Sequence, residues 1–343
     1  MPDQHRPPRI HDVAKLAGVS VATVSRAISN PSIVSETTRK AVEAAIAQTG
    51  YTMNFTARNL RQQQVGGVLA LVPKLANPFF ALILSGISQV LRTHNLSLLV
   101  MDTTAVPDQP PMKVLGPYLT RSRSDGVIVL DGGLDPALFD RPGCPPLVQA
   151  CEWIEGLSAP RVLADNVEGG RLAAEHLTGL GHRHILHLRG PADSSLTRTR
   201  HEGFVQGLVA AGLPEPDPRD TLWGDFSAGS GLAAARRLLE MSPRPTAVFC
   251  DNDEMAIGLM HGLTGAGLRV PHDVAVMGFD NIEMAAFAQP GLTTIRQHRA
   301  RLGQQAAETL LARMQGRPVT DTVMLGVDLV QRGSTDPRPK RDL

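Results

Sequence analysis

Apolar and polar positions change period along this chain, and the first stretch is helical. Between Arg9 and Asn30, RIHDVAKLAGVSVATVSRAISN, two short runs carry apolar side chains at helical spacing. Ile10, Val13, Ala14 and Ala17 make one stripe, and Val24, Ala27 and Ile28 make another. Gly18 suits the left-handed residue that ends a helix, and Ser20 suits the N-cap of the next. Ala14 and Ala17 are small, so the two helices can cross closely. The pattern predicts a helix-turn-helix whose second helix enters a DNA major groove. An ordinary helical hairpin has the same pattern. Val21, Ala22, Ser25 and Arg26 face away from the stripe and, with Ser20 and Thr23, form the candidate DNA-reading surface. Arg26 can donate twice to guanine O6 and N7, and Ala22 can touch a thymine methyl. Asn30-Pro31 ends the pair, and Ser35 caps a third helix with Val42, Ala45, Ile46 and Thr49 on one face, stopped by Gly50.

From Val65 the pattern becomes short apolar, β-branched runs alternating with helical ones. The predicted strands are Val68–Val72, Leu96–Met101, Gly126–Leu130, Leu147–Ala150, His184–Leu188, Ala247–Cys250 and Val274–Met277. The predicted helices are Phe80–His94, Val167–Leu180, Arg198–Ala211, Ala228–Glu240, Glu254–Ala266 and Arg299–Met314. Alternation of this kind means βαβ units and parallel sheets, and the length suggests two lobes. The segment Phe79-Phe80-Ala81-Leu82-Ile83-Leu84 is apolar all round, more than one core face needs, so its spare face predicts a partner subunit.

Composition adds little until it is divided along the chain. The 343 residues carry a formal net charge of +1. Residues 1–61 hold eight basic side chains against four acidic ones, a balance of +4, on a slightly acidic remainder. A basic head on such a body is the footprint of a phosphate-binding module. Cys144, Cys151 and Cys250 form no CxxC pair, which suggests a reducing compartment without structural zinc. The start MPDQHRPPRI does not read as a signal peptide, and no apolar run reaches membrane-spanning length, so a cytoplasmic protein is expected. No GxSxG, HExxH or phosphate-binding P-loop motif occurs, so neither an enzyme nor a cofactor is expected.

The strings DVAKLAGVSVATVSRAISNP and VSETTRKAVEAAIAQTGY resemble the headpiece of the lactose repressor family of bacterial transcription regulators. The resemblance implies an α/β protein with an N-terminal helix-turn-helix headpiece of three helices and a two-lobed, periplasmic-binding-protein-like core of parallel sheets. It divides the chain into a disordered tail (1–8), the headpiece (9–51), a hinge helix or linker (52–64), the effector-binding and dimerisation core (65–333) and a polar tail (334–343). Three crossovers should join the lobes near Arg161, Leu292 and Met324. In that family the hinge forms on operator DNA and a leucine wedges into the minor groove. Asn54, Ala57 and Leu60 match, with Leu60 as the wedge, which would kink the DNA; alternatively Leu60 packs on its dimer mate. Met53 stands where the family usually has proline, so the hinge has less pre-set direction. The tail STDPRPKRDL carries no leucine heptads for tetramer formation.

The same register implies the effector site. TRTRHEGF puts Arg200 at the ligand-gripping arginine, GDFSAGS puts Phe226 at a stacking aromatic, CDNDEMAIG puts Asn252 near the pocket, and GFDN puts Asp280 where an acid holds ligand hydroxyls. Asn77-Pro78-Phe79-Phe80 matches a corner that lines the cleft. Taken singly, these residues also read as a surface arginine, core phenylalanines and loop caps. GFVQGL, TAVFC, GFDNIE, LTTI, RGST and QACEW, around Glu152, are similar to the cytidine repressor branch, which implies a nucleoside effector, with a sugar next and a purine base after that. The implied whole is a ligand-responsive homodimeric repressor on a near-palindromic operator. A transporter's solute-binding protein and an NAD-dependent oxidoreductase are the alternatives. The second rests on Gly229-Ser230-Gly231-Leu232-Ala233-Ala234, a GxGxxA string with Asp251 following, but no buried strand leads directly into it. His182 and His184 share a strand face while His187 points oppositely, which argues against a three-histidine metal site.

Overall fold

The computed structural model describes residues 8–29, 31–51, 64–104 and 109–336. Contacts divide the chain into two units, Met1–Gln64 and Val65–Leu343. In the first unit, α1 (Ile10–Ala17), α2 (Val21–Ser29) and α3 (Glu36–Thr49) follow the apolar stripes. Gly18 sits at φ 66° and donates its N–H to the Ala14 carbonyl, which ends α1 where a side chain would be strained. Ser20 Oγ accepts from Thr23 N at 3.1 Å and Ser35 Oγ from Thr38 N at 3.2 Å, satisfying N–H groups that have no partner inside the helix. Val13, Val24, Val42 and three alanines form the core of this unit. Each wholly buried valine contributes roughly 1.5–3 kcal/mol, so a charge at Val13 or Val24 would break the unit.

The second unit holds two six-stranded sheets among the described residues. The first lobe is built on β1 (Gly67–Val72), α4 (Phe79–Thr93), β2 (Ser97–Asp102), the short α5 (Pro111–Leu115), β3 (Gly126–Val129), β4 (Leu147–Ala150) and β5 (Arg161–Ala164). The second lobe follows with α6 (Asn166–Gly179), β6 (Ile185–Arg189), α7 (Ser195–Ala210), β7 (Thr221–Trp223), α8 (Ala228–Glu240), β8 (Ala247–Cys250), α9 (Asp253–Gly265), β9 (Ala275–Asp280), the short α10 (Glu283–Phe287) and β10 (Thr293–Gln297). The chain then returns to the first lobe for α11 (Arg299–Met314) and β11 (Thr322–Leu325), and ends its last sheet strand, β12 (Val327–Val330), in the second. The strand orders are β11-β5-β4-β3-β1-β2 and β12-β10-β9-β8-β6-β7.

The lobe crossings therefore fall at Asp165, His298 and Gly326, a few residues beyond the expected Arg161, Leu292 and Met324. The shift has one cause: Arg161–Ala164, Thr293–Gln297 and Thr322–Leu325 are short strands with polar or exposed positions, so their pattern does not announce them. The first sheet is parallel throughout, whereas β12 runs antiparallel to β10 because it arrives directly from β11 through Gly326. The core also runs past the expected boundary at residue 333. Ser334 and Thr335 are fully buried, and Ser334 Oγ donates to the Val276 carbonyl at 2.6 Å.

Reciprocal glycines key three helix pairs together. A Cβ on Gly170 or Gly203 would lie 2.1 or 1.8 Å from a carbonyl oxygen of the partner in the α6–α7 pair. On Gly231 or Gly258 it would lie 2.0 Å from one in the α8–α9 pair, and on Gly86 or Gly303 2.1 or 2.0 Å from one in the α4–α11 pair. No side chain fits at these distances, so the backbones touch. The GxGxxA string thus lies inside α8, where Gly231 is a helix-packing residue and not a phosphate-binding turn.

Candidate functional site

The first unit presents Ala22, Ser25 and Arg26 exposed on one side of α2. Val21 is half-buried and packs on the core of that unit, and the Ser20 and Thr23 hydroxyls bond each other at 2.8 Å. Of the six headpiece candidates, then, Ser20, Ala22, Ser25 and Arg26 are exposed, with the Ser20 hydroxyl bonded to Thr23. Asn54, Ala57 and Leu60 lie outside the described residues.

In the second unit a cavity of about 250 Å³ is lined by residues of both lobes, and it gathers Phe79, Phe80, Glu152, Arg200, Phe226, Asn252 and Asp280. The parallel strands deliver them, since β4, β8 and β9 lead into Glu152, Asn252 and Asp280 at their carboxyl ends, where such sheets place ligands. Phe79 and Phe80 meet edge to face at 5.1 Å, and Asn77 Oδ1 caps the corner by accepting from Phe79 N at 2.8 Å. Backbone strain also gathers here. Lys74, Cys151, Phe226 and Asp280 all have positive φ, at 55°, 70°, 63° and 113°, and all line the cavity. Each such residue costs on the order of 1–3 kcal/mol, and functional sites are where such strain collects.

Arg200 differs from its expectation as the residue that grips the ligand. It is 1% exposed, and much of its donor fork is spent within the protein. Nε donates to Asn166 Oδ1 at 2.9 Å, one terminal nitrogen to the Asp251 carbonyl, and the other to Asp280 Oδ1 at 3.4 Å. Its guanidinium lies 3.9 Å from the centroid of the Phe279 ring. Arg200 therefore holds Asp280 and the loop after β8 in place. Asn252 fits the plain reading of a loop cap: Oδ1 accepts from Met255 N at 3.0 Å, and Nδ2 donates to the Phe226 carbonyl at 2.9 Å. That second bond fixes the aromatic wall.

Asp280 is the most exposed to chemistry of the three. Among the described residues both hydrogen bonds to its carboxylate go to Oδ1, from Gln297 Nε2 at 2.7 Å and from Arg200. Burial raises its pKa to about 6, against the opposing pull of Arg200, Arg299 and the Gln297 bond. Glu152 reaches across the cleft, its Oε1 accepting from Ser194 Oγ at 2.6 Å, and burial pushes its pKa up too. Asp131, Asp193 and Asp225 also line the cavity, against Lys74 and Arg200. The sequence reading missed these three acids, Asn166 and Gln297. Asp131, Asn166 and Asp225 lie two residues beyond a strand end, Asp193 lies four beyond β6, and Gln297 is the last residue of β10, positions that carry no distinctive sequence signal.

Asp251, offered as a dinucleotide contact, is wholly buried, and its oxygens accept from His187 Nε2 at 2.7 Å and Gly190 N at 2.8 Å. His184 pairs with Asp220 and His182 with Thr246, so the three histidines point to three different partners.

Residues 9–54 match the family described as bacterial regulatory proteins, lacI family, and residues 174–335 match a periplasmic binding protein-like domain. The chain is 36% identical over 331 residues to the HTH-type transcriptional repressor CytR of Escherichia coli (strain K12), covering 96% of each. It is 35% identical over 317 residues to the repressor PurR of Photobacterium profundum, covering 90% of this chain and 92% of that one. Among solved structures, the lac repressor dimer bound to operator and the anti-inducer ONPF superposes with a TM-score of 0.82 at 31% identity, over 96% of this chain and 99% of that one. The complex of the regulator CelR with cellobiose gives 0.73 at 32% identity, over 95% and 99%. The chain belongs to the lacI family of bacterial regulatory proteins, as a ligand-responsive, DNA-binding transcriptional repressor.

Proposed function

We propose that the cleft takes an uncharged nucleoside or sugar, and that the headpiece (9–51) reads half of a near-palindromic operator in a homodimer. The observation that carries the effector class is the buried Asp280 carboxylate, held through one oxygen and bordered by Phe79, Phe80 and Phe226. A carboxylate accepts from neighbouring hydroxyls, and an aromatic face takes a base or the apolar side of a sugar ring. The excess of acids over cations around the cavity disfavours a phosphate or carboxylate ligand. Solved relatives support the class: CelR is complexed with cellobiose, and a LacI family regulator from Enterococcus faecium, at 30% identity and a TM-score of 0.71 over 80% of this chain and 100% of that one, holds ribose. A nucleoside offers both a ribose diol and a flat base, which suits the acid and the aromatics together.

Arg26 reads guanine in this proposal, with Ala22 and Ser25 beside it on the exposed side of α2. Leu60 in the linker (52–64) is the minor-groove wedge in this proposal, with Asn54 and Ala57 as the other linker residues that match the family pattern. Effector closure of the lobes changes their relation across the dimer and so the operator affinity. Such a repressor works in the cytoplasm, where the DNA is. The test is a thermal-shift screen of nucleosides and sugars on the purified protein, since a ligand of the native state stabilises by mass action, followed by operator release with each hit. Stabilisation by cytidine or ribose is the expected result; stabilisation only by anionic metabolites would overturn the effector class.

A further inference from the structure

The first turn of α11 lies just after the crossing at His298, and it belongs firmly to the first lobe. Gly303 and Gly86 hold α11 against α4 backbone to backbone. From that turn Arg299 reaches inward, buried, and touches both lobes. One terminal nitrogen donates to the Phe79 carbonyl at 3.2 Å, at the first-lobe wall of the cleft. The other donates to the Asn281 carbonyl at 2.9 Å, in the second lobe. The guanidinium carbon also lies 5.7 Å from the centroid of the Phe79 ring.

What it grips in the second lobe is a strained turn. Asp280 and Asn281 are consecutive non-glycine residues at φ 113° and 52°, a conformation the surroundings must impose. Two of those supports come from the second lobe itself: Thr294 Oγ1 accepts from Asn281 N at 3.3 Å, and Arg332 donates to Asn281 Oδ1 at 2.8 Å. Arg299 is the support that comes from the other lobe. The cross-lobe pair Arg198–Glu155, by contrast, is exposed to solvent that screens it.

We propose that Arg299 is a positioning residue that carries effector occupancy at Asp280 into the angle between the lobes, because its guanidinium spans the Phe79 and Asn281 carbonyls. This rests on the reading of Asp280 as the effector's acceptor. A ligand that pulls on Asp280 shifts the turn, and the turn is tied through Arg299 to α4 and α11. Coupling of this kind is reciprocal, so closure of the lobes also sets the acceptor. Arg299 further contributes charge. The ionisable groups acting on Asp280 are Arg200 from α7, Arg299 from α11, Glu254 and Asp253 from α9, and the Cys151 thiol from the first lobe.

The two roles separate in two variants. Arg299→Lys keeps the charge but cannot hold a planar two-pronged span, and Arg299→Met loses both. Two measurements on ligand-free, full-length protein decide the matter. Carboxyl ¹³C NMR follows the titration of Asp280, and spin-label distances between Cys placed at Met112 and Val209, in a Cys144→Ser background, follow the lobe angle. In Arg299→Met the Asp280 midpoint should rise by about one unit or more, and the distance distribution should broaden. In Arg299→Lys the midpoint should stay near that of the parent while the distribution still broadens. If Arg299→Met does not fold, Arg299→Lys alone tests the span. A narrow, unshifted distribution in the lysine variant overturns the proposal, as does an unmoved Asp280 midpoint in a folded methionine variant. Neither measurement needs an effector, so the failure of nucleosides and sugars to bind would reject the effector class and leave the role of Arg299 to be judged by these results.

Discussion

Asp280 has opposing forces on one carboxyl group, and they give a pH dependence with a definite sign. Burial favours its neutral form and lifts its pKa to about 6, while Arg200 and Arg299 restrain the rise. Only the ionised form offers both oxygens as acceptors. Affinity for the effector should therefore be flat above pH 7 and fall as pH drops through about 6, approaching tenfold per unit on the acid side. Calorimetric titrations between pH 5 and 8 read this directly. Asp280→Asn keeps one acceptor, and asparagine tolerates positive φ, so the turn should survive. The variant should bind a nucleoside about tenfold more weakly at pH 7.5, roughly 1.4 kcal/mol, and lose the acid fall. A fall with the same midpoint in the variant would assign the titration to another group. On the DNA side, Arg26→Ala should cost about 1–3 kcal/mol on the operator while sparing random DNA. An equal loss on both in a salt-controlled binding assay would make Arg26 a phosphate contact.

At the scale of elements, helices with one apolar face were legible, as was the apolar edge strand β2, whereas short or polar strands such as β7 and β10 were not. Ala228–Glu240 and Arg299–Met314 were read to their observed ends because their stripes repeat over several turns. Thr293–Gln297 is buried yet polar in sequence. Its threonines are satisfied by the Arg332 carbonyl and by Asp253, partners far along the chain that no local pattern encodes. The candidate site was legible through family register, which brought seven residues to one cavity. The internal spending of Arg200 and the bridge at Arg299 were not, because the first depends on second-lobe partners far apart in the chain and the second on contacts between lobes. The glycine pairs give a sharp test of element packing inside a single string. A Cβ on Gly229 would meet only Ser227 Oγ, at 3.6 Å, whereas one on Gly231 would lie 2.0 Å from the Met255 carbonyl oxygen. Gly229→Ala should stabilise by about 0.5–1 kcal/mol, as alanine usually does in a helix. Gly231→Ala should destabilise by about 1–3 kcal/mol through overpacking. Chemical denaturation of the two variants compares them, and similar values would mean that α8 and α9 are not in backbone contact.

At the scale of the molecule, the first lobe carries an edge that a lone chain should not leave open. Among the described residues strand β2 ends its sheet with a free hydrogen-bonding edge, and its sequence Ser97–Asp102 is mostly apolar. Leu99 is 43% exposed and Leu82, on the neighbouring α4, is 47% exposed. The pattern of residues 79–84 anticipated this spare face: Phe79, Phe80 and Ile83 turn into the core and Leu82 does not. In the second lobe α10 shows Phe287 at 68% exposure, with Met284 beside it. An apolar edge left uncovered invites uncontrolled pairing, and the lac repressor that superposes on this chain was solved as a dimer. We expect a second copy to cover the first-lobe edge. Leu82→Glu together with Leu99→Lys should then give monomers at micromolar concentration in sedimentation. Both side chains are outside the cleft, so effector affinity should change less than about twofold, within the ±0.5 kcal/mol usual for surface changes. Operator affinity should fall by a factor on the order of 10²–10⁴, because two linked headpieces bind a paired site far better than one. A variant that stays dimeric at micromolar concentration would move the interface elsewhere, with the exposed Met284 and Phe287 as the next surface to substitute.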